Sequence, residues 1–585
     1  MPNSGQQQKS SALARKTETK ELFSPWIFYA LVAAVVIGIF AIYSPTLNFQ
    51  FILDDHHFVN DPRIQTSGHI WDYFTNYVWA QVSGGPSSFY RPLFAVWLRI
   101  NSIFNGMSSW GWHLLSVAKH VLAAFFLALV VYKLLRDRVA ALIAAALFAL
   151  HPAQTESVAW ITVPDPLMSS AVLGCLLLYL IYVERSDGRP LEKSQKKLRR
   201  EARARSGIAT VWWLIASAVC CLAALFTKET AIILPFVIFV VAFSFPRVTL
   251  PAKKTKDKED PRESGLLARI VFAFRESWPF LAVTAIYLLF RLNALSGRLG
   301  GVTQHLGWKT QVLSWPGILW FYVKVLFWPV RSYAFADPTL VNTFSVRSVM
   351  LPLLGVVCVV AGLTGLFAWA WRKAGRVVDV ATITAFDTKH IRQALLLGAL
   401  LLVLPILLAL NLNALDPGDF LHGRYTYLPL CGLMLLLATG WHLMDRGRGV
   451  LLIVAGTVAV AFSIFTVKQE GMWKDDLTVF TVAHQIAPNN APIAQNLTRA
   501  HVQQALSLDE EGRCDEAVPI FNQAIRAYPQ DWFAWAGLGE CLFKLNDLPG
   551  SEKSLRRAAE LSHEPQVRQE WQMVREKMGA PAPSQ

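Results

Sequence analysis

Apolar positions along this chain gather into runs of spanning or near-spanning length, at about 26–43, 113–132, 139–150, 167–182, 209–226, 231–245, 277–291, 312–330, 350–371, 394–412, 427–443 and 450–466. Each run predicts a helix that crosses, or nearly crosses, a bilayer. The polar head, residues 1–21, carries Lys9, Arg15, Lys16 and Lys20. That charge predicts a cytoplasmic head before a start-transfer helix, and no small-residue cleavage site follows that would make it a cleavable signal.

Basic residues in the intervening segments orient the remaining runs. Lys133, Arg136 and Arg138 mark one inner loop, nine Lys or Arg between Arg185 and Arg205 a second, and eight between Arg247 and Arg275 a third. Arg372, Lys373, Arg376, Lys389 and Arg392 belong inside as well, as do Arg446 and Arg448. A full crossing at 312–330 would put the first of these groups outside. The segment Trp320-Phe-Tyr-Val-Lys-Val-Leu-Phe-Trp-Pro329 also has the Trp/Tyr-rich character of a headgroup-level helix, with Lys324 in its middle. It is therefore predicted to be interfacial or re-entrant. About eleven crossings remain, which put the N-terminus inside and the C-terminus outside.

The pattern changes near Lys468 to that of a soluble domain. Gly512, Ala517, Phe521, Ala524 and Pro529 recur 34 residues later as Asn546, Ser551, Leu555, Ala558 and His563, a spacing that resembles tetratricopeptide helix pairs. The leading helix of the first copy carries roughly five to six extra residues before Gly512. About two repeats fall below the number usual for a free-standing solenoid, so the unit is expected to dock on the membrane domain or on a protein partner. Trp535 is expected in the core of the repeats, and Ala580 to Gln585 reads as a frayed tail.

Composition narrows the class. Hydrophobic residues are 54% of the chain and charged ones 16%, which excludes a soluble domain. The formal net charge of +14 lies in the inner loops, where topology and anionic lipid account for it, and no nucleic-acid partner is implied. Five of the seven cysteines fall in apolar runs. Cys514 and Cys541 are left as a possible pair in an exported domain, and no metal-ligand spacing is present.

The candidate chemistry sits where the predicted loops face outward. Asp54 and Asp55 stand about ten residues past the first run. An acidic pair just outside a bilayer can take a proton from a hydroxyl. Asp54 is the preferred base, while Asp55 is open to binding a divalent metal or the acceptor backbone. Moving a sugar from a phosphate ester also needs positive charge at the departing phosphate, and Arg91, Lys228 and Arg424 lie at outer ends of runs or in outer loops. Each has an ordinary alternative: a helix start for Arg91, a self-satisfied pair with Glu229 for Lys228, an interfacial anchor for Arg424 and Tyr425. His113 and His120 share a helix face, the second roughly 10 Å deeper by helical rise, and suit either donor phosphate or a neighbouring helix. In the next outer loop His151 and Glu156 could wall a sugar pocket or form a capped turn, and Asp165 reads as a helix N-cap.

Taken in order, Leu53-Asp-Asp55, Arg91-Pro-Leu93, His113-Leu-Leu with His120, His151-Pro-Ala-Gln-Thr-Glu-Ser-Val-Ala-Trp160, Lys228-Glu229, Gly423-Arg-Tyr-Thr-Tyr-Leu-Pro429, Trp473-Lys-Asp-Asp476 and the trailing repeats resemble a C-type (GT-C) polyprenyl-phosphate-sugar-dependent glycosyltransferase. More narrowly, they resemble the transmembrane, tetratricopeptide-repeat-containing O-mannosyltransferases. The resemblance implies an all-α polytopic fold. A membrane transferase domain over 22–467, with a first external loop at 44–112, would be followed by an external repeat domain over 468–580. It implies a lipid-linked sugar donor, an exported protein acceptor glycosylated on Ser/Thr hydroxyls, and Arg91, His113, His120, His151, Glu156, Lys228, Arg424 and Tyr425 around donor phosphate or sugar. A single displacement would invert the anomeric centre. Two further readings stay open, a transferase of the same fold acting on a lipid or envelope glycan, and a non-catalytic scaffold recruiting partners through its repeats. The short repeat array points to a bacterial inner membrane with the repeats periplasmic.

Overall fold

The computed structural model describes residues 25–78, 89–186, 196–246, 265–297, 305–330, 340–376, 384–414, 421–444, 447–562 and 564–579. The polar head, Arg446, much of the second and third basic loops and the 580–585 tail lie outside them. Among the described residues the secondary structure is helical, with no strand.

The first long helix, α1 (Pro25–Tyr43), is followed by a connection holding α2 (Asp55–Val59) and α3 (Pro92–Asn105). Next come α4 (Ser109–Leu135), α5 (Arg138–Ala149), the short α6 (Thr155–Ala159), α7 (Asp165–Ser186), α8 (Lys196–Thr227), α9 (Leu234–Ser244) and α10 (Leu266–Ala294). Then α11 (Trp308–Phe327) precedes α12 (Leu351–Arg376), α13 (Thr384–Leu408), α14 (Tyr427–His442) and α15 (Arg448–Glu470).

Polar contacts sort the connections between two ends of this bundle. At one end Asp55 accepts the Thr162 N–H, Arg91 pairs with Glu229, Lys228 with Asp165, and Glu156 accepts the Arg424 N–H. At the other end His442 pairs with Asp137, while Lys133 and Arg136 share Glu184. Helices α1, α4, α5, α7, α8, α9, α10, α12, α13, α14 and α15 run in turn between the two ends, in the order of the apolar runs.

By length and apolar composition seven helices suffice to cross a membrane, or eight if α5 and α6, bent by 55°, form one span. The shortfall from eleven has a physical cause in each case. Helices α5, α9 and α14 have 12, 11 and 16 residues, and at about 1.5 Å per residue none reaches the ~30 Å of a hydrocarbon core alone. Helix α10 is long enough but carries Arg269, Arg275, Glu276 and Arg291. Helix α14 is buried along most of its length, so neighbouring helices rather than lipid enclose it. A Cβ on its Gly432 would lie 2.5 Å from the Gly398 carbonyl oxygen of α13, so this crossing requires glycine.

Helix α11 has both ends at the site-bearing end. Before its start the Leu306 N–H donates to Asn413 Oδ1 at 2.8 Å. Beyond its end the Gln469 side chain donates to the Pro329 carbonyl at 2.7 Å, and His151 reaches the carbonyl of Leu326 in its last turn at 3.2 Å. Such a helix returns to the side it came from, as the charge pattern of 312–330 requires.

After α15 the chain forms α16 (Asp476–Ile486), α17 (Ala491–Glu510), α18 (Cys514–Ala527), α19 (Trp532–Lys544), α20 (Leu548–Leu561) and α21 (Pro565–Lys577). The pairs α17–α18 and α19–α20 are the two repeats. Their turns are equivalent, with Gly512 at φ 76° and Asn546 at φ 63°, 34 positions apart. The extra residues of the first copy lengthen α17 to 20 residues against 13 in α19. Phe521, Ala517, Leu538 and Cys541 fill the core between the pairs, with Trp535 packed against it.

Candidate functional site

Four connections at one end of the bundle build the site. Arg91 immediately precedes α3, whose Pro92 supplies a preset helical φ at the first turn. Lys228 and Glu229 form the sharp turn between α8 and α9. The two adjacent charges do not pair with each other: Arg91 donates through Nε and Nη2 to the two Glu229 oxygens at 3.0 and 3.3 Å, and Lys228 Nζ donates to both Asp165 oxygens at 2.7 Å. Asp165 thus begins α7 and also balances a buried cation. Burial pulls the Lys228 ammonium below its ordinary range, and the Asp165 carboxylate opposes that pull.

These groups line a cavity of about 380 Å³. Arg91, Asp165, Lys228, Glu229, Arg291 and the Tyr287 and Tyr425 rings provide its polar part, while Met168, Ile232, Leu288, Pro405, Leu408 and Leu428 provide an apolar wall. Lys228 Nζ lies 5.0 Å from the Tyr425 ring centroid, and Arg424 lies 5.6 Å from it. Three cations, Arg91, Lys228 and Arg291, and an apolar wall in one concavity suit a phosphate carrying a hydrocarbon chain. Arg291, Tyr287 and Asp165 were not among the predicted donor residues. Arg291 and Tyr287 lie inside a long apolar helix, and an ionisable group within such a run is the signal that could have found Arg291.

Glu156 sits on α6, buried, where its oxygens accept from His422 Nδ1 at 2.9 Å and from the Arg424 N–H at 3.1 Å. The Arg424 guanidinium comes within 3.6 Å of the same carboxylate and stacks 4.5 Å over Trp160. A Cβ on Gly423 would lie 3.1 Å from Glu156 Oε2, so a larger residue there would press the carboxylate back by a few tenths of an ångström. Trp160 in turn stacks on Trp473 at 6.1 Å. His422, one position before the Gly423-Arg-Tyr motif, is a further site residue that the sequence does not single out.

Asp54 precedes α2 and is partly exposed, its carbonyl accepting the His57 and Phe58 N–H groups. Asp55 is buried. Its oxygens accept from Ile52 N at 3.2 Å and Thr162 N at 3.1 Å, and burial raises its carboxyl to about 7. Across the same turn Lys119, buried in α4, donates to the Ile161 and Val163 carbonyls at 3.1 and 3.4 Å. Beside the acidic pair, His56 Nε2 meets Asp476 Oδ2 at 2.8 Å, a contact that raises the His56 imidazole.

The three histidines expected around the donor, His113, His120 and His151, lie outside the cavity lining. His120 Nε2 reaches the Ala149 carbonyl at 3.0 Å, so Nδ1 accepts the Tyr427 hydroxyl at 2.7 Å. His151 Nδ1 accepts the Ala153 N–H at 3.2 Å and its Nε2 donates to Leu326 O. His113 is buried with its ring edge-on to Phe49. Among the described residues the His, Cys, Asp and Glu side chains close enough to share an ion are Asp509, Cys514 and Cys541 in the repeats, not the acidic loop, and Lys544 already donates to Asp509 at 2.8 Å.

The fold and site define a multi-pass helical membrane protein with a cation-lined cavity at one end and a C-terminal repeat unit. Residues 502–564 match the tetratricopeptide repeat family. Over most of its length the chain is similar to protein O-mannosyl-transferases. Human Protein O-mannosyl-transferase TMTC1 is 25% identical over 540 residues, covering 85% of this chain and 55% of its own length. Drosophila melanogaster Protein O-mannosyl-transferase Tmtc1 is 33% identical over 197 residues, covering 33% of this chain and 20% of its own. The chain thus spans about half the length of the curated relatives it matches over most of its own length. Among solved structures it is similar to the oligosaccharyltransferase AglB from Archaeoglobus fulgidus in complex with an inhibitory peptide and a dolichol-phosphate, with a TM-score of 0.41 and 12% identity, covering 80% of this chain and 59% of that one.

Proposed function

We propose that the chain transfers a sugar, mannose by the names of its relatives, from a polyprenyl-phosphate donor to Ser/Thr hydroxyls of exported proteins. The observation that carries this reading is the cavity in which Arg91 and Lys228 meet an apolar wall, with Arg424 stacked beside it. In this reading the donor phosphate sits against Arg91, Lys228 and Arg424, and its hydrocarbon chain follows Leu288, Leu408 and Leu428 toward the lipid. Tyr425 borders the same space. Glu156 orients Arg424 instead of touching sugar, and His113, His120 and His151 serve packing.

Asp54, partly exposed, is the proposed base, while Asp55 uses both oxygens to hold the loop. The acceptor oxygen forms its bond to the anomeric carbon as the bond from that carbon to the phosphate oxygen breaks. The acceptor proton passes to Asp54, and the charge left on the phosphate is met by the cations. One displacement inverts the anomeric centre. The site-bearing end is proposed to face the periplasm of a bacterial inner membrane, with the repeats on that side.

Transfer of labelled mannose from polyprenyl-phosphate mannose, measured in membranes containing the native chain or Asp54→Asn, tests the reading. Label in protein that drops about 100-fold or more with the substitution is expected. Label confined to the lipid fraction would move the acceptor to a lipid or glycan, and equal label in both membranes would end the assignment of Asp54.

A further inference from the structure

We infer that Asp476, the first residue of α16, is a positioning residue for the acidic loop, so that one carboxylate joins the C-terminal domain to the proposed base. The inference rests on the transferase reading above. Leu53, directly before Asp54, adopts φ 51°, a left-handed conformation that a γ-branched side chain rarely takes without outside support. The support is visible. The Leu53 N–H donates to Asp476 Oδ1 at 2.8 Å, and Oδ2 of the same carboxylate meets His56 Nε2 at 2.8 Å. Asp476 therefore grips the chain on both sides of Asp54–Asp55, across 423 positions of sequence.

The neighbouring residue shows that this is not helix capping. Asp475 is the N-cap of α16, its Oδ1 accepting the Thr478 N–H at 2.8 Å and hydroxyl at 2.7 Å. The helix start is thus satisfied without Asp476, whose oxygens point at the loop. A backbone bond from Gln50 N to the Lys474 carbonyl at 2.9 Å fixes the same two segments side by side, and Trp473 stacks on Trp160 beside them. From the opposite direction Asp55 binds Ile52 N and Thr162 N. The proposed base is thus held by two carboxylates, that of its neighbour Asp55, which ties the loop to Thr162 of the bundle, and that of Asp476 from the C-terminal domain. With side-chain exposures of 50% and 30%, the His56–Asp476 pair is partly screened by solvent, so its weight lies in geometry and not in ionic strength of attraction.

Purified full-length native chain, Asp476→Ala, Asp476→Asn, Asp475→Ala and Asp54→Asn are compared with polyprenyl-phosphate mannose and a Ser/Thr-rich peptide. Asp476→Ala should lower kcat about 10- to 100-fold while the donor KM stays within about twofold, because a displaced base spoils the reacting geometry and not donor binding. Asp476→Asn keeps an oxygen for the Leu53 N–H and should recover much of that loss. Asp475→Ala removes the cap but keeps the Asp476 carboxylate, and should lower kcat less than Asp476→Ala does. Hydrogen exchange should rise about tenfold or more in residues 49–60 of Asp476→Ala and stay unchanged in the repeats. Native kcat or native loop exchange in Asp476→Ala, with Asp54→Asn inactive, would overturn the inference alone. Full activity of Asp54→Asn would overturn the transferase reading, and the inference with it.

Discussion

Asp55 has the most distinctive ionisation near the acidic loop. Its carboxyl stands at about 7 in the folded chain against 3.8 for an ordinary aspartate, with burial as the main cause. A folded value above the unfolded one means that the unfolded chain ionises first as pH rises. Stability from this group is therefore complete below about 4, is lost between about 4 and 7, and is level above. The melting temperature of the native chain, measured against Asp55→Asn in detergent, should fall across that window relative to the variant. Taking the difference cancels the other carboxylates. A flat difference from pH 4 to 8 would show that Asp55 ionises as an exposed aspartate does. At this scale the sequence identified residue types better than partners. Arg91, Lys228 and Glu229 were visible as charges near apolar ends, but Asp165 lies 63 positions from Lys228 and Glu229 lies 138 from Arg91. Pairing across such separations depends on how the helices pack. His120 shows the converse, since nothing local distinguishes a ligand histidine from one satisfied by Tyr427 and Ala149.

Element order was legible because lipid imposes a coarse code, in which long apolar runs become helices and basic residues count the sides. All twelve runs fall on helices, and the charge count already required 312–330 to return to its own side. The lengths were less legible. Helices α5, α9 and α14 stop short because Leu150-His151-Pro152, Lys228 and Gly423-Arg424 open the chain for the site, and neighbouring helices cover what lipid would otherwise touch. Helix α11 offers the sharpest check. In a background without other cysteines, Lys309→Cys before its first full turn and Trp328→Cys after its last turn lie at exposed positions. Both should react with a membrane-impermeant maleimide from the side that labels a cysteine placed at exposed Lys474. Labelling from opposite sides would make α11 a crossing and reverse the alternation of every later helix.

The whole chain divides its work between a bundle that shapes the cavity and a C-terminal unit whose first helix, α16, stands next to the acidic loop. The repeats have a core of their own around Phe521, yet they are tied to the bundle through Asp476, Lys474 and Trp473. Their outer surface holds a second cavity of about 430 Å³, where Arg499, Gln495 and Gln503 of α17 face Gln530, Trp532 and Phe533. Phe533 stacks on Trp532 at 3.8 Å and is 54% exposed. Amides and a cation beside exposed aromatics suit an extended peptide, whose backbone needs donors and whose side chains need rings. If the repeats present the acceptor, a full-length Arg499→Ala, Phe533→Ala double variant should transfer to a short soluble peptide at the native rate. It should transfer to an unfolded or extended protein acceptor roughly tenfold more slowly, the size of effect expected when one of two linked binding sites is lost. The loss should appear in the protein-acceptor KM and leave donor KM unchanged, because neither residue lines the cavity beside Arg91 and Lys228. Equal loss on both acceptors would mean that the substitutions disturb the acidic loop through α16. No loss on either would leave the repeats as a docking element for the bundle alone, with acceptor choice made at the cavity itself.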